Sequence, residues 1–330
     1  MPDDASLPYQ DLCPEDILRA VEACGFRCDG RLLALNSYEN RVYRVGIDAA
    51  GPLVAKFYRP GRWSDAAILE EHGFAAELAV AELPVVAPLA IDGRTLQREA
   101  GFRFALYPCH GGHAPDLDDA QLLRQLGRLV GRMHLLGEQQ AYRHRPAIGL
   151  DSHGRASADY LLAAGFIPAE LTLAYETLCA DLFSAVEACY ARCGTVAGLR
   201  LHGDFHLGNV LVRDERIHIV DLDDSCMGPA MQDLWMLLSG DREAQAQQLA
   251  EVLAGYTEFR CFDARQLHLL EALRTLRIMH YAAWLGRRWS DPAFRHAFPW
   301  FDTPRYWDEH LLALREQLAA MQEAPLPWRP

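Results

Sequence analysis

The chain has 330 residues, of which half are hydrophobic and a tenth are aromatic, and its formal net charge is −13. This composition supports packed cores and excludes intrinsic disorder, collagen-like repeats and a small scaffold held together by disulfides. The acidic balance argues against a nucleic-acid-binding protein, which needs a basic face to neutralise phosphates.

The N-terminus and the cysteines predict the compartment. Residues 1–6 are acidic and polar and lack the basic and apolar regions of a secretory signal. No apolar run reaches the roughly 20 residues that span a bilayer. The nine cysteines are an odd number, which argues against a complete set of disulfides within the chain. We therefore expect a cytoplasmic protein without a membrane partner, and we expect it to be a monomer.

The first third of the chain predicts a short helix followed by an antiparallel sheet. Residues 14–24 open with proline and acidic residues, carry apolar residues at helical spacing and stop before Gly25. Strand patterns separated by turn-rich segments cover residues 32–35, 41–47, 53–58, 85–91 and 102–107. A helix is predicted over residues 65–80, between the third and the fourth of these strands.

Beyond a hinge near residues 107–112 the pattern becomes helical. Only residues 199–223 return to short strand-like runs. The helices are predicted over residues 117–136, 170–193, 232–238, 242–256, 264–289 and 306–322. Since the chain is also longer than a single hydrophobic core usually supports, we predict an α+β, bilobal fold. Its small β-rich N-lobe would span residues 1–107, and its larger α-helical C-lobe would span residues 108–330.

The strongest chemical signal lies in the second of these lobes. His202-Gly203-Asp204 is followed, after four intervening residues, by Asn209, and Asp221 comes twelve residues later behind an apolar run. Phosphoryl transfer requires these residue types: a carboxylate orients the attacking hydroxyl, while hard oxygen ligands hold Mg²⁺ across the nucleotide phosphates. A short hairpin between Asn209 and Asp221 would let both side chains face one cleft.

This spacing resembles the catalytic loop of the superfamily that joins eukaryotic-like kinases with aminoglycoside and choline phosphotransferases. Further segments, in order from about residue 10 to the C-terminal region, are similar to the bacterial stress response kinases, a family of serine/threonine protein kinases. They cover residues 36–43, 54–60, 68–72, 148–150, 221–224, 232–238 and 283–289. The resemblance implies a kinase-like fold and an ATP- and Mg²⁺-dependent, non-specific serine/threonine protein kinase of a stress response. Its partners would be ATP and a protein substrate, and autophosphorylation is left open.

The resemblance also implies a role for each matching residue. Asp204 corresponds to the catalytic base. Asn209 and Asp221 correspond to the Mg²⁺ ligands, and Asp221 also counts as catalytic. Lys56, in a Val-Ala-Lys strand, corresponds to the lysine that meets the α- and β-phosphates, and Ser37 corresponds to an ATP-contacting serine. The implied N-lobe therefore binds nucleotide, and the C-lobe carries the catalytic and metal-binding loops.

The ion-pair partner of the phosphate-binding lysine is expected on the helix that follows it. Glu70 and Glu71 are both candidates. Spacing favours Glu71, because Phe74 and Leu78 then fall at i+3 and i+7 on the same helix face. We therefore expect Glu71 at the nucleotide site and keep Glu70 as the alternative.

Two departures from typical kinases indicate an atypical member. The first hairpin carries residues 37–40 (Ser-Tyr-Glu-Asn) in place of G-x-G-x-x-G, so a side chain would donate where glycine loops use backbone N–H groups. No DFG glycine is present, since Asp223 and Asp224 follow Asp221-Leu222. Asp223 is an open candidate for a second metal contact, and the alternative is a bracing role. Asp233, on the next helix, is expected to bond the catalytic-loop backbone.

Two other functions remain open from the sequence. A kinase of the same fold could act on choline-, homoserine- or aminoglycoside-like alcohols, because an acidic groove would suit a cationic acceptor. A pseudokinase would bind nucleotide without turnover. The complete set of Lys56, Asp204, Asn209 and Asp221 argues against the pseudokinase.

Overall fold

The computed structural model describes residues 8–328 and divides into two compact units. Of the described residues, unit 1 comprises those up to Pro115 together with Tyr142–Arg145 and Leu207–Asp224. Unit 2 comprises Asp116–Ala141, Pro146–His206 and the described residues from Ser225 onward. The lobe boundary predicted between residues 107 and 108 stays a prediction. Within residues 8–328, no helix has both the length and the apolar character needed to cross a membrane.

Unit 1 is built on a five-stranded antiparallel sheet with the strand order β1-β2-β3-β5-β4. The strands are β1 (Cys28–Ala34), β2 (Arg41–Ile47), β3 (Leu53–Phe57), β4 (Gln97–Glu99) and β5 (Phe102–Pro108). Ala100 and Gly101 join β4 to β5 with φ angles of 48° and 81°, the left-handed geometry of a tight hairpin turn. Helix α1 (Pro14–Ala23) buries Ile17 and Val21 in a core shared with the inner residues of the sheet.

The prediction of a strand over residues 85–91 is wrong. This segment forms only isolated bridges, from Val85 to Ile219 and from Ile91 to Arg94. Pro84 and Pro88 explain the difference, because proline has no backbone N–H to donate to a strand ladder. The additional strand of the sheet is instead β4.

Two further elements of unit 1 surround the residues of interest. Helix α2 (Asp65–Val80) begins after Ser64, whose hydroxyl accepts a hydrogen bond from the Ala67 N–H at 3.2 Å. Strands β7 (Val210–Arg213) and β8 (Arg216–Ile219) form an antiparallel hairpin. The expected hairpin is therefore present. It lies directly after Asn209, and it ends two residues before Asp221.

Unit 2 is mainly helical, with one short antiparallel strand pair, β6 (Leu199–Leu201) and β9 (Cys226–Gly228). Its helices are α3 (Ala120–Gly137), α4 (Ala156–Ala163), α5 (Ala169–Cys193), α6 (Met231–Trp235), α7 (Arg242–Tyr256), α8 (Leu270–Arg288), α9 (Pro292–Ala297) and α10 (Pro304–Ala320). A π-helical turn, Leu150–Arg155, precedes α4. The sequence did not predict α4 or α9, and the helix predicted from residue 264 begins as a 3₁₀ helix, Ala264–Leu269.

Glycines bring α3 and α7 into backbone contact. A Cβ atom at Gly127 of α3 would overlap the carbonyl group of Val252, and one at Gly255 of α7 would overlap the carbonyl group of Arg124. The absence of side chains at both positions lets the helices pack at this distance. The β-rich unit and the helical unit together give the predicted α+β class.

Candidate active site

Unit 1 contains a cavity of about 300 Å³. Its walls come from the β1–β2 turn, from β3 and β5, from helix α2 and from both ends of the β7–β8 hairpin. The lining includes every predicted site residue of unit 1, namely Ser37, Lys56, Glu71, Asn209 and Asp221. Residues far apart in sequence therefore meet at one cavity.

Lys56 lies on β3 with its side chain buried between carboxylates. Its Nζ is 2.8 Å from Asp221 Oδ1 and 3.2 Å from Asp223 Oδ1. Burial alone would lower the pKa of Lys56, but Asp221, Asp223 and Glu71 outweigh it and hold that pKa well above the ordinary value. The amine therefore stays cationic at the cavity wall, where an anionic ligand could meet it.

Asp221 adopts a backbone conformation that is unusual for a residue other than glycine. Its φ of 61° lies in the left-handed region, which costs an L-residue about 1 kcal/mol. The carbonyl of Asn209 accepts a hydrogen bond from the Val220 N–H at 3.0 Å, which ties together the two ends of the hairpin. Strained backbone of this kind concentrates at functional sites, where the surrounding structure holds it in place.

The oxygen donors of the cavity fit a divalent cation delivered with a nucleotide. Asn209 and Asp221 both line it. Within residues 8–328, no group of three or more His, Cys, Asp or Glu side chains is placed to hold a metal. Mg²⁺ is usually held by one or two carboxylates together with substrate phosphates and water, rather than by an all-protein cage. The Asn209 amide oxygen and the Asp221 carboxylate match this mode of Mg²⁺ coordination.

The structure places Glu71, rather than Glu70, at the cavity. Glu71 is 2 % exposed, and its Oε2 has no hydrogen-bond partner among the described residues. Burial raises the pKa of Glu71 to about 7, against the opposing effect of Lys56. The Glu70 carboxylate instead accepts hydrogen bonds from the backbone N–H groups of Arg143 and His144, at 2.8 and 2.9 Å. The role of Glu71 toward the nucleotide stays a prediction.

Asp223 is surrounded by positive charge. Its side chain is buried, contacts Arg62 and Lys56, and accepts a hydrogen bond from Asn40 Nδ2 at 3.1 Å. Burial would raise the pKa of Asp223, but Arg62 and Lys56 outweigh it and hold that pKa well below the usual range. Arg62 also contacts Asp224. These contacts favour the bracing role for Asp223, and nothing in the sequence pointed to Arg62 as its partner.

The turn that carries Ser37 is anchored rather than free. Its last two residues, Glu39 and Asn40, are buried. Asn40 Oδ1 accepts a hydrogen bond from the Arg59 N–H at 3.1 Å, while its Nδ2 binds Asp223. Glu39 Oε1 is 3.7 Å from Arg59 Nε. The non-glycine sequence of this turn thus supplies side chains that fasten it to the rest of unit 1.

Asp204 belongs to unit 2 and follows strand β6. Its Oδ1 is 2.5 Å from Arg277 Nη2 on α8, and its Oδ2 is 3.5 Å from His206 Nε2. Burial would raise the pKa of Asp204, but His206 and Arg277 outweigh it and hold that pKa well below the usual range. The carboxylate is therefore ionised at neutral pH and can accept a hydrogen bond from a hydroxyl group. No motif in the sequence indicated the contact between Arg277 and Asp204.

Asp233 holds the backbone beside Asp204, as predicted. From helix α6 its two carboxylate oxygens accept hydrogen bonds from the N–H groups of His202 and Gly203, each at 2.9 Å. Gln232 Nε2 donates to the carbonyl of Gly203 at 3.1 Å. Gly203 adopts a φ of 84°, which suits a residue without a Cβ. The conformation of this loop is thus fixed by buried groups.

Residues 31–270 match the phosphotransferase enzyme family (APH). Stress response kinase A of Escherichia coli (strain K12) is 43% identical over 327 residues, covering 99% of both chains. Serine/threonine protein kinase RdoA of Salmonella typhimurium (strain LT2) is 42% identical with the same coverage.

Solved kinase structures share the fold. An amicoumacin kinase, hAmiN, in complex with AMP-PNP, Ca²⁺ and Ami, has a TM-score of 0.71 at 18% identity, covering 93% of both chains. A microcompartment-associated aminopropanol kinase has a TM-score of 0.69 at 19% identity, covering 93% of this chain and 98% of the other. These likenesses confirm the predicted kinase-like fold.

Proposed function

Because the chain belongs to the phosphotransferase enzyme family, we propose that it transfers the γ-phosphoryl group of ATP, with Mg²⁺, to serine or threonine hydroxyls of proteins. The observation that carries the proposal is the cavity of unit 1. There the Lys56 amine lies 2.8 Å from the Asp221 carboxylate, and Ser37 and Asn209 complete the lining. A cation, two oxygen ligands and a hydroxyl are the groups that a triphosphate and its metal require.

The roles within unit 1 follow from charge and donor type. Lys56 would neutralise the α- and β-phosphates, with Glu71 nearby, and Ser37 would donate a hydrogen bond to a phosphate oxygen. Asn209 and Asp221 would hold Mg²⁺, which supplies charge neutralisation at the phosphates when bound. Because these groups are already placed, stabilisation of the transferring phosphoryl group would need little rearrangement.

Asp204 is assigned to the acceptor hydroxyl. Its depressed pKa makes it a weak base, so it would orient the hydroxyl by accepting a hydrogen bond and receive the proton as transfer proceeds. The acceptor oxygen forms its bond to the γ-phosphorus while the bond from that phosphorus to the β–γ bridging oxygen breaks, and ADP leaves. Asp233 would act indirectly by holding the loop backbone.

Protein acceptors are supported by the relatives with more than 40% identity, one of which is named as a serine/threonine protein kinase. The solved small-molecule kinases are below 20% identity and share the fold alone. We propose a role in a stress response because the relative from Escherichia coli is named stress response kinase A. Cytoplasmic location, a monomeric state and autophosphorylation are part of the proposal and come from the sequence and its resemblance.

The test is transfer of label from γ-labelled ATP with Mg²⁺ to a generic protein acceptor. We expect Asp204→Asn to lower transfer by about 100-fold or more while calorimetry shows unchanged nucleotide binding. Asp214→Asn is the matched control, since Asp214 lies in the β7–β8 turn with its side chain 87% exposed. Unchanged transfer in Asp204→Asn would refute the assignment. Label found only on a small alcohol would favour the small-molecule kinase, and binding without any transfer would favour the pseudokinase.

A further inference from the structure

We propose that unit 2 recognises an acidic peptide segment around the acceptor serine or threonine, through arginines that extend along α8 from Asp204. This inference rests on the proposed function, because it names the substrate class of the same acceptor site. It is independent of the nucleotide cavity. It concerns only side chains of unit 2 beside the catalytic loop.

The arginines share one face of a helix. Arg277 contacts Asp204 and is 39% exposed at its side chain. Counting along α8, His280, Trp284 and Arg287 follow Arg277 at steps of three, four and three residues, which places the four on one side of the helix. Arg288 comes next to Arg287 at the helix end. A row of side chains with an arginine at each end therefore begins at Asp204 and runs along α8.

His280, which lies between the two arginines along α8, contacts a second histidine, His153. The rings of His153 and His280 lie 4.3 Å apart, centroid to centroid. Burial, together with the nearby charges of Arg277 and Arg287, lowers the pKa of His153 to about 4. Since His153 is neutral at physiological pH and Arg277 is paired with Asp204, Arg287 supplies the positive charge at the far end of the row.

Two acidic residues of neighbouring elements, Asp151 and Glu187, are paired with another arginine. Arg155 pairs with Asp151 at 2.9 Å and with Glu187 at 2.7 Å. Arg287, in contrast, has no carboxylate within ion-pair distance among residues 8–328. It donates to the Ala156 carbonyl at 3.2 Å and stacks over the ring of Tyr160 at 4.8 Å. A guanidinium has five N–H donors, so most of those of Arg287 remain available to a ligand carboxylate.

The length of the row favours a peptide over a small alcohol. Arg277 and Arg287 are ten residues apart on α8, which corresponds to about 15 Å along the helix axis. An extended peptide covers that distance in about four or five residues. An acceptor serine near Asp204 would therefore bring a residue four or five positions away to Arg287. A carboxylate at that position fits, whereas a cationic alcohol would meet like charge.

The experiment uses serine peptides that carry either Asp or Lys four residues before or after the serine. With the whole protein, we expect kcat/KM to be about tenfold higher for the better Asp peptide than for its Lys counterpart, the size of one charge-assisted contact. Arg287→Glu should reverse this preference, and Arg287→Lys should preserve it. Arg305→Glu is the control on α10, where the side chain is 86% exposed, and should leave the preference unchanged.

The reversal separates recognition from structural damage. If Arg287→Glu lowers transfer to both peptides equally, the side chain is only structural and the inference is overturned. Equal kcat/KM for Asp and Lys peptides in the unaltered protein would also overturn it, while leaving the proposed protein kinase intact. Transfer to a cationic small alcohol but to no peptide would overturn both proposals.

Discussion

The buried carboxylate of Asp223 offers the sharpest test of how unit 1 holds Lys56, the proposed phosphate-binding lysine. Asparagine at this position keeps the volume but removes the negative charge that faces Arg62 and Lys56. Breaking a buried ion pair by removing one partner costs about 3–5 kcal/mol. Because Lys56 keeps Asp221 and Arg62 keeps Asp224, we expect a loss near the lower limit, about 3 kcal/mol.

Native-state hydrogen exchange measures this loss locally, without assuming that the two units unfold together. A change of about 3 kcal/mol should accelerate exchange of the β3 amides roughly 100-fold. Asp224→Asn is the matched control. Its side chain also contacts Arg62 but is half-exposed, so its removal should cost less than about 1 kcal/mol.

The effect should also depend on pH with a definite sign. The pKa of Asp223 is lowered in the folded protein, so its contribution is complete above the ordinary aspartate pKa and is lost as the pH falls through the folded pKa. The difference in stability between the unaltered protein and Asp223→Asn should therefore narrow as the pH falls below about 4. A loss equal to that of Asp224→Asn, or one that does not narrow in acid, would refute the reasoning.

Three further predictions concern other groups. Asp221→Ala should weaken Mg²⁺–ATP binding at least tenfold by titration calorimetry, and unchanged affinity would contradict its role as a metal ligand. The raised pKa of Glu71 stabilises unit 1 fully below about pH 4.5, and this contribution is lost as the pH rises through about 7. Hydrogen exchange of Glu71→Gln should therefore lack that pH dependence, and a persisting dependence would point to another group. Gly127→Ala should lower the thermal midpoint of unit 2 through a cost of about 2–3 kcal/mol, because its Cβ would overlap the Val252 carbonyl. Gly73→Ala, in open space on α2, should be neutral or slightly stabilising, and similar effects of the two would argue against close packing.

Local sequence patterns predicted the proximity of site residues that are close together in the sequence. Asn209 and Asp221 flank a hairpin, so their meeting at one cavity follows from a short stretch of chain. The place of Lys56 on a strand was predictable from the local pattern, whereas its role toward phosphates came from the family resemblance. The prediction of a strand over residues 85–91 was wrong because it gave more weight to the apolar pattern than to the two prolines, which cannot donate to a strand ladder.

Contacts between distant residues could not be predicted in the same way. The hydrogen bond from Arg62 to Asp223 joins residues 161 positions apart, and Arg62 lies outside the segments that the sequence analysis singled out. Arg277 meets Asp204 from the middle of a helix whose sequence reads as ordinary amphipathic surface. Such pairings depend on how the elements pack, which a hydrophobic period does not specify.

The anchored turn that carries Ser37 has a consequence for the thermodynamics of nucleotide capture. A glycine-rich loop loses many backbone conformers when it closes over a ligand, and fixing one residue costs about 1–2 kcal/mol of entropy. Here Asn40 and Glu39 already restrain the turn before any ligand arrives. Binding should therefore carry a smaller entropic penalty than in a kinase with a mobile loop. Asn40 and Lys56 both contact the Asp223 carboxylate. A displacement of either side chain should therefore alter the position of the other.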